Sequence, residues 1–264
     1  MTIRVMISGS GKMGREVLRA VAAEPDLEPV AVVDLFATEE RIALPDGTGE
    51  VPFGTSPAAL IGRTKPDVVV DFTNADWTPR LTLEALDAGV RLVIGTTGLS
   101  EAFVSELGEE CSRRGIGAVL AANFAIGAVL MQHMAVIASR FYENAEIIEM
   151  HHDQKADAPS GTALATARGM AEARANAFTH PLTQKQTLPG TRGGETSGIA
   201  IHSVRLPGLV AHQQVMFGGP GETLTIRHDS TGRESFMPGV ILAVREVMSR
   251  RELVVGLDRL IGLA

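Results

Sequence analysis

The chain of 264 residues carries 24 Lys and Arg against 31 Asp and Glu, which gives a formal net charge of −7. Hydrophobic residues make up 45% and charged residues 21%, a balance typical of globular domains and not of disordered or fibrous proteins. The negative charge and the 4% aromatic content disfavour nucleic acid as a partner, because such binding needs basic faces or stacking rings.

The first half of the chain alternates apolar runs with helical patterns. Almost uninterrupted apolar runs, typical of strands covered on both faces, predict strands at 3–8, 29–34, 68–72, 91–94 and 118–122. This alternation predicts an α/β fold class with an N-terminal Rossmann-like, doubly wound parallel sheet. The segment 38–57 is rich in Gly, Pro, Thr and Glu, so we expect a surface loop there.

Two features bear on the compartment. The segment 115–131 has no charged residue, but it is shorter than the roughly 20 residues of a membrane span, so a buried strand that runs into a helix explains it better. The N-terminal residues lack the features of a signal peptide, and the single Cys111 cannot form an intrachain disulfide. We therefore expect a cytoplasmic protein with no membrane partner.

The second half has the pattern of a separate α+β domain. Its predicted elements are a helix at 126–142, strands at 145–152, 198–206, 210–217 and 222–229, and an Ala-rich helix at 163–176. Ser160 is a suitable N-cap residue for the Ala-rich helix. The Gly-rich segment 187–197 is interpreted as a surface loop, with a mobile lid as the alternative.

The last helical pattern suggests a discontinuous first domain. The helix predicted at about 236–250 has no sheet of its own in the sequence, so we expect it to pack against the first half. The predicted domains are therefore 1–122 plus about 236–264, and 123–235.

A glycine motif follows the first predicted strand and opens the first helix. In Gly9-Ser10-Gly11-Lys12-Met13-Gly14, the first glycine permits a sharp turn, the second lets backbone amides approach a pyrophosphate, and the third permits close helix–strand packing. A purely structural turn is the alternative. Asp34, at the end of the second strand, supplies the carboxylate expected to bind ribose hydroxyls, and the two signals together predict a dinucleotide site.

Asp34 also bears on the choice of nicotinamide cofactor. A carboxylate accepts hydrogen bonds from a 2′-hydroxyl and repels a 2′-phosphate, so NADH is favoured. Lys12 and Arg41 on neighbouring loops keep NADPH open as the alternative.

The carboxyl ends of the other strands are expected to line the nicotinamide, since ligands of open parallel sheets bind at that edge. The predicted cofactor-binding residues are Ser8, Gly9, Ser10, Gly11, Lys12, Met13, Gly14, Asp34, Phe72, Gly95, Thr96, Thr97, Ala121, Ala122, Asn123 and Phe124.

The densest polar cluster is the run 149–162. His151 and His152 are adjacent on a predicted strand and point to opposite faces, and no metal-ligand spacing accompanies them, so no metal site is predicted. Lys155 and the histidines offer positive charge to an anionic substrate, and the backbone N–H groups of 160–162 at a helix start suit a carboxylate. The run therefore predicts an acid and an anion clamp for an electrophile that receives hydride.

The run from Glu149 to Leu164, with His151-His152, Lys155 and Asp157-Ala158-Pro159-Ser160-Gly161-Thr162, closely resembles the signature of the dihydrodipicolinate reductase family. The resemblance extends over essentially the whole chain, through 71–73, 95–98, 121–124, 203–205 and 210–213. The glycine loop departs from the family's usual G-x-x-G-[RK]-M-G form by being one residue shorter.

The resemblance implies reduction of a cyclic imine dicarboxylate, derived from 4-hydroxy-tetrahydrodipicolinate, by NAD(P)H in lysine and diaminopimelate biosynthesis. It implies that His151 and Lys155 handle the proton, that His152 contacts the substrate, and that Ser160, Gly161 and Thr162 lie at a substrate carboxylate. Which of the first two delivers the proton stays open. The family also implies a homotetramer, with the strands after Gly198 as the candidate interface.

Two other functions are considered. A different two-domain NAD(P)-dependent amino-acid dehydrogenase would have the same domain organisation. A non-catalytic NAD-sensing protein would share the glycine motif but would not need His151, Lys155 and a carboxylate-binding helix start together.

Overall fold

The first apolar run, Ile3–Ser8, forms an inner strand (β1) of an eight-stranded sheet in the computed structural model, which describes residues 2–263. The other strands of this sheet are β2 (Leu27–Val33), β3 (Arg41–Ala43), β4 (Glu50–Gly54), β5 (Val68–Asp71), β6 (Arg91–Ile94), β7 (Ala118–Leu120) and β13 (Leu253–Val255). Their order is β13-β7-β6-β5-β1-β2-β4-β3, and every neighbouring pair is parallel except β3 with β4. The predicted doubly wound parallel sheet is confirmed.

Helices connect these strands and bury their apolar faces. They are α1 (Lys12–Ala23), α2 (Pro57–Thr64), α3 (Thr78–Asp87), α4 (Glu101–Arg114), α7 (Met237–Val247) and α8 (Leu257–Leu260). The helix predicted near the C-terminus is α7, and it packs against α1 and β6 as expected. The strand β13 then joins the same sheet beside β7, so the chain returns to the first unit at its end.

The segment 38–57 was predicted as a loop, and this is wrong in part. It contains the hairpin β3–β4, and β4 pairs in parallel with β2 through Phe53 and Gly54. Val51 is buried, but Pro52 and Gly54 interrupt the alternation that would identify a strand from sequence. The strand β4 joins the main sheet by pairing with β2, which lies earlier in the chain, and a local pattern does not reveal such a pairing.

The second unit is built on a five-stranded sheet. Its strands are β8 (Asn144–His151), β9 (Gly194–Thr196), β10 (Ile199–Arg205), β11 (Ala211–Gly219) and β12 (Glu222–Ser230), in the order β12-β11-β8-β10-β9. Its helices are α5 (Ile126–Ala138) and α6 (Gly161–Glu172). The segment 187–197, expected to be a loop, contains the short edge strand β9 paired with β10.

The described chain divides into two compact units. One comprises the residues up to Ile126 together with those from Phe236 onward, and the other is Gly127–Ser235. Each has its own buried apolar cluster, around Met6, Leu81 and Leu92 in the first and around Ile147 and Phe217 in the second. In residues 2–263, none of the helices is both long and apolar enough to cross a membrane. The uncharged segment 115–131 instead covers β7 and the start of α5.

Close packing of α1 against the turn after β1 depends on Gly14. A Cβ at this position would lie 1.9 Å from the carbonyl oxygen of Gly9, whereas a Cβ at Gly11 would meet nothing within 4 Å. We expect Gly14→Ala to lower the free energy of unfolding by about 3 kcal/mol, at the upper end of overpacking costs, because backbone must move.

Chemical denaturation checks this prediction, with Gly11→Ala as the matched control. The control replaces a glycine three residues away in open space and is expected to cost about 1 kcal/mol or less, the typical price of alanine at an N-cap position. Equal stabilities for the two variants would contradict the packing role of Gly14.

Candidate active site

The glycine loop between β1 and α1 has the backbone shape that a pyrophosphate site requires. Gly9 adopts a φ of +100°, a conformation that residues with a side chain rarely adopt, and its N–H donates to the Val33 carbonyl at 2.8 Å. The space above Gly11 is open, and the N–H groups of the first turn of α1 begin there. A helix N-terminus in this setting favours negative charge.

Asp34 follows β2, and its carboxylate accepts hydrogen bonds from the same glycine loop. Its Oδ2 accepts the N–H (2.6 Å) and the hydroxyl (2.8 Å) of Ser10, and Oδ1 accepts the Phe36 N–H at 2.9 Å. Burial opposes ionisation, but these hydrogen bonds outweigh it and hold the pKa of Asp34 below its ordinary value. The carboxylate is therefore anionic at neutral pH, and it lines a cavity of about 200 Å³ together with Gly9 and Gly11.

A second carboxylate, Asp71, joins the ends of β5 and β6. It is fully buried and accepts hydroxyl hydrogen bonds from Thr73 (2.7 Å), Thr78 (2.6 Å) and Thr96 (2.9 Å). The Thr96 hydroxyl accepts the N–H of Thr73 at 3.1 Å. These bonds fix the two strand ends to each other and to the start of α3.

Aromatic packing shapes the same edge of the sheet. Phe72 lines the cavity and contacts the buried ring of Phe124 edge-on, with 5.5 Å between centroids. A Cβ at Gly95 would lie 2.0 Å from the Phe72 ring, so the glycine makes room for that ring. The hydroxyl of Ser8 is buried and accepts the indole N–H of Trp77 at 3.0 Å.

The structure brings the predicted cofactor residues to one edge of the sheet, but their side chains differ in exposure. Among them, Lys12, Thr97 and Ala122 are exposed, Met13 and Asn123 are partly buried, and Ser8, Thr96, Ala121 and Phe124 are buried. The side chains of the buried residues are used within the protein, as in the hydrogen bonds of Ser8 with Trp77 and of Thr96 with Asp71. Of the two cations considered for a 2′-phosphate, Arg41 is bonded to Glu50 at 3.1 Å, and Lys12 has no ion pair within residues 2–263.

In the second unit, the start of α6 presents free N–H groups. The Ser160 hydroxyl caps the helix by accepting the N–H of Ala163 at 3.2 Å. The N–H groups of Gly161 and Thr162 have no acceptor among the residues that the structure describes, as is usual for the first turn of a helix. Together with the helix dipole, they form a site suited to a carboxylate.

Behind this helix start lies a fully buried carboxylate, Glu149 of β8. Its Oε1 and Oε2 accept two hydrogen bonds from the Arg205 guanidinium at 2.8 and 3.0 Å. Oε1 also accepts the N–H of Ser160 at 3.3 Å, and Oε2 lies 2.6 Å from Nδ1 of His151. Burial would raise the pKa of Glu149, but hydrogen bonds with Arg205, Ser203 and His151 and the charge of Arg205 hold it below its ordinary value.

His151 is partly buried at the end of β8. Burial lowers the pKa of its imidazole below the ordinary value, and this outweighs the opposite effect of the Glu149 carboxylate. The imidazole is therefore neutral at pH 7. The charges of Lys155 and Arg205 also lower its pKa, which indicates that Lys155 is near enough to interact with it electrostatically.

Lys155 belongs to the turn that follows β8. Its N–H donates to the His152 carbonyl at 3.2 Å, and its ammonium group donates to the Asp157 carboxylate at 2.6 Å. This hydrogen bond holds the pKa of Asp157 below its ordinary value. The side chain of Lys155 is partly buried, whereas His152 is exposed. No cluster of three or more metal-ligating side chains occurs within residues 2–263.

Sequence reasoning placed Glu149 in the polar run without giving it a role, and it included Arg205 only in the stretch 203–205 that resembles the family. The parallel pairing of β8 with β10 is the feature that would have identified both residues. Ser203 of β10 lies opposite Glu149, and Arg205 lies opposite His151, so the arginine is two residues from the position opposite the carboxylate and on the same face of the sheet. This pairing joins residues more than 50 positions apart in the sequence, which a local pattern does not show.

The lowered pKa of His151 gives a testable prediction. The NMR titration midpoint of this imidazole should lie below 6.5, its ordinary value. Because the folded state then binds fewer protons than the unfolded state, stability falls as the pH drops below about 6.5. A spectrum of His151→Gln assigns the signal, and a midpoint at or above 6.5 would contradict the burial argument.

Comparison with known proteins supplies independent findings. Family models described as dihydrodipicolinate reductase, N-terminus, and dihydrodipicolinate reductase, C-terminus, match residues 3–124 and 127–261. The 4-hydroxy-tetrahydrodipicolinate reductase of Dehalococcoides mccartyi (strain BAV1) is 50% identical, over 99% of this chain and 99% of its own. That of Geobacillus kaustophilus is 48% identical, over 99% of this chain and 100% of its own.

Solved structures are also similar to this chain. The dipicolinate-bound dihydrodipicolinate reductase from Paenisporosarcina sp. TG-14 has a TM-score of 0.88 and 44% identity, and the match covers 98% of this chain and 99% of that one. An amine dehydrogenase from Mycobacterium smegmatis has a TM-score of 0.68 at 13% identity, with 98% and 96% coverage, and shares the fold alone.

Proposed function

The chain belongs to the dihydrodipicolinate reductase family, and we propose that it reduces the cyclic imine dicarboxylate derived from 4-hydroxy-tetrahydrodipicolinate to tetrahydrodipicolinate, in lysine and diaminopimelate biosynthesis. The observation that carries the proposal is the site at the start of α6, where unpaired N–H groups follow Ser160, and the Ser160 N–H shares the Glu149 carboxylate with His151. An amino-acid dehydrogenase or an NAD-sensing protein is not favoured, because the dehydrogenase structures share only the fold.

The residues of the second unit provide the substrate chemistry. The N–H groups of Gly161 and Thr162, with Ser160 as their cap, bind one carboxylate of the substrate, and His152 contacts it from the exposed side of the loop. Hydride addition to a C=N bond leaves negative charge on nitrogen, so a proton held nearby lowers the barrier. Lys155 and His151 are the pair that handles this proton, and the ammonium charge of Lys155 also offsets the substrate carboxylates.

The glycine loop and the strand ends of the first unit are the residues that hold the cofactor. Gly9, Gly11 and Gly14 with the start of α1 hold the pyrophosphate, and Asp34 accepts ribose hydroxyls. The open space above Gly11 and the cavity beside Asp34 fit this assignment. When bound, NAD(P)H supplies the hydride. We assign NADH as the favoured form, because Asp34 is anionic and Arg41 is bonded to Glu50.

The roles of the two units follow from these sites. We assign 1–122 plus about 236–264 to dinucleotide binding, and 123–235 to substrate binding and tetramerisation. The face of the five-stranded sheet opposite its apolar cluster carries the partly exposed side chains of Ile148, Met150, Val204 and Met216. Apolar residues on an open sheet face support self-association into a homotetramer. A cytoplasmic location fits a biosynthetic reductase whose one cysteine, Cys111, is a buried thiol.

Activity is tested directly by oxidation of NADH or NADPH, followed at 340 nm, with freshly made product of dihydrodipicolinate synthase. We expect turnover with the wild type, and for Lys155→Ala a decrease in kcat of about 10²- to 10⁴-fold, the range lost with a general acid or base. Its affinity for coenzyme should stay the same, because Lys155 belongs to the substrate loop.

The matched control is Lys185→Ala, which removes an exposed lysine of the same unit outside the predicted site. It should keep wild-type kcat. No absorbance change with either coenzyme would exclude the reductase function, and normal turnover of the Lys155 variant would remove this residue from the mechanism.

Cofactor choice gives a further prediction. The ratio of kcat/KM for NADH to that for NADPH should exceed one, and Asp34→Asn should reduce this ratio about tenfold, since it removes one like charge near the 2′-phosphate. Asp46→Asn is the control, because Asp46 also accepts an N–H and a hydroxyl from one residue, Thr48. A clear preference of the wild type for NADPH would contradict the role given to Asp34.

A further inference from the structure

The Glu149 carboxylate contacts two parts of the candidate substrate site at once. One of its oxygens lies 2.6 Å from Nδ1 of His151, and the other accepts the Ser160 N–H at the start of α6, at 3.3 Å. The side chain has no exposed surface, and Arg205 spans both oxygens. No other group described in the structure links the imidazole to this helix start.

The protonation pattern of His151 follows from this geometry. Paired with Arg205, Glu149 is an ionised carboxylate and can only accept hydrogen bonds, so Nδ1 of His151 must carry the proton that lies between them. In the neutral imidazole the other nitrogen, Nε2, is then an acceptor. His151 consequently donates a proton from Nε2 only as the imidazolium.

We propose that Glu149 is a positioning residue, which fixes His151 in the Nδ1–H tautomer and holds it in register with the carboxylate-binding start of α6. A buried carboxylate that bonds Nδ1–H sets the tautomer and ring orientation of a functional histidine in just this way. The tautomer rests on the contacts of Glu149 alone. Its importance for turnover rests on the reductase function proposed above.

The variant Glu149→Gln gives a specific test. To keep the hydrogen bonds that Oε1 accepts from Arg205 Nη2 and the Ser160 N–H, the new side chain must place its amide oxygen there and its NH₂ group towards His151, which loses the bond from Arg205 Nη1 to Oε2. That group donates to Nδ1, so the imidazole is expected to change to the Nε2–H tautomer. We expect kcat to fall at least about tenfold, and the affinity for pyridine-2,6-dicarboxylate without coenzyme to fall several-fold, because the imidazole and the helix start lose their common anchor.

Glu146→Gln is the matched control. Glu146 is on the same strand and also accepts hydrogen bonds from an arginine, Arg192, and a histidine, His202 (2.9 Å), but it points to the opposite face of the sheet. It should leave the His151 tautomer, the dicarboxylate affinity and kcat unchanged.

Three measurements decide the proposal: the two-bond ¹H–¹⁵N spectrum of His151 at pH 7.5, calorimetric binding of pyridine-2,6-dicarboxylate, and kcat with KM. A wild-type spectrum that shows Nε2–H would overturn the proposal, even if Glu149→Gln failed to fold. An unchanged tautomer or unchanged kcat in a folded Glu149→Gln would also overturn it. A fixed Nδ1–H tautomer that reverses in the variant, in a wild type without reductase activity, would sustain the positioning and reject only the function.

Discussion

The ion pair between Glu149 and Arg205 is the constraint on which the candidate substrate site depends. A carboxylate with no exposed surface is very costly unless it is paired, and removal of one partner of a buried pair typically costs about 3–5 kcal/mol. Arg205 meets this requirement with two hydrogen bonds from a neighbouring strand. The pair therefore ties β10 to β8, and the acceptor sites that it leaves on the carboxylate hold His151 and the start of α6.

The first unit also has a buried carboxylate at a strand end, and no cation pairs with it among the described residues. Asp71 is as fully buried as Glu149, but three threonine hydroxyls satisfy it. In both units a buried carboxylate near a strand end accepts hydrogen bonds from more than one segment of the chain. Such an anchor holds loops in one arrangement, which pre-organised binding sites require.

Much of this structure could be predicted from the sequence, and the exceptions have a common physical origin. Runs such as Ile3–Ser8 and Val68–Asp71 can be recognised as strands because buried parallel strands are almost uninterruptedly apolar. The roles of Gly9 and Gly14 can also be predicted, because both are local: Gly9 adopts a positive φ in the turn, and Gly14 leaves no room for a Cβ beside the backbone of Gly9. By contrast, β9 (Gly194–Thr196) has no apolar side chain that would identify it as a strand, β4 pairs in parallel with the earlier strand β2, and β13 joins β7 only after the chain has passed through the second unit. The link from Glu149 to Arg205 is likewise set by strand register.

The most direct measurement is a crystal structure of the protein with NADH and pyridine-2,6-dicarboxylate. The account predicts one carboxylate of the diacid on the N–H groups of Gly161 and Thr162, the ring beside Nε2 of His151, and Nδ1 still bonded to Glu149. A diacid bound away from the start of α6, or a His151 ring turned away from Glu149 in the complex, would contradict it.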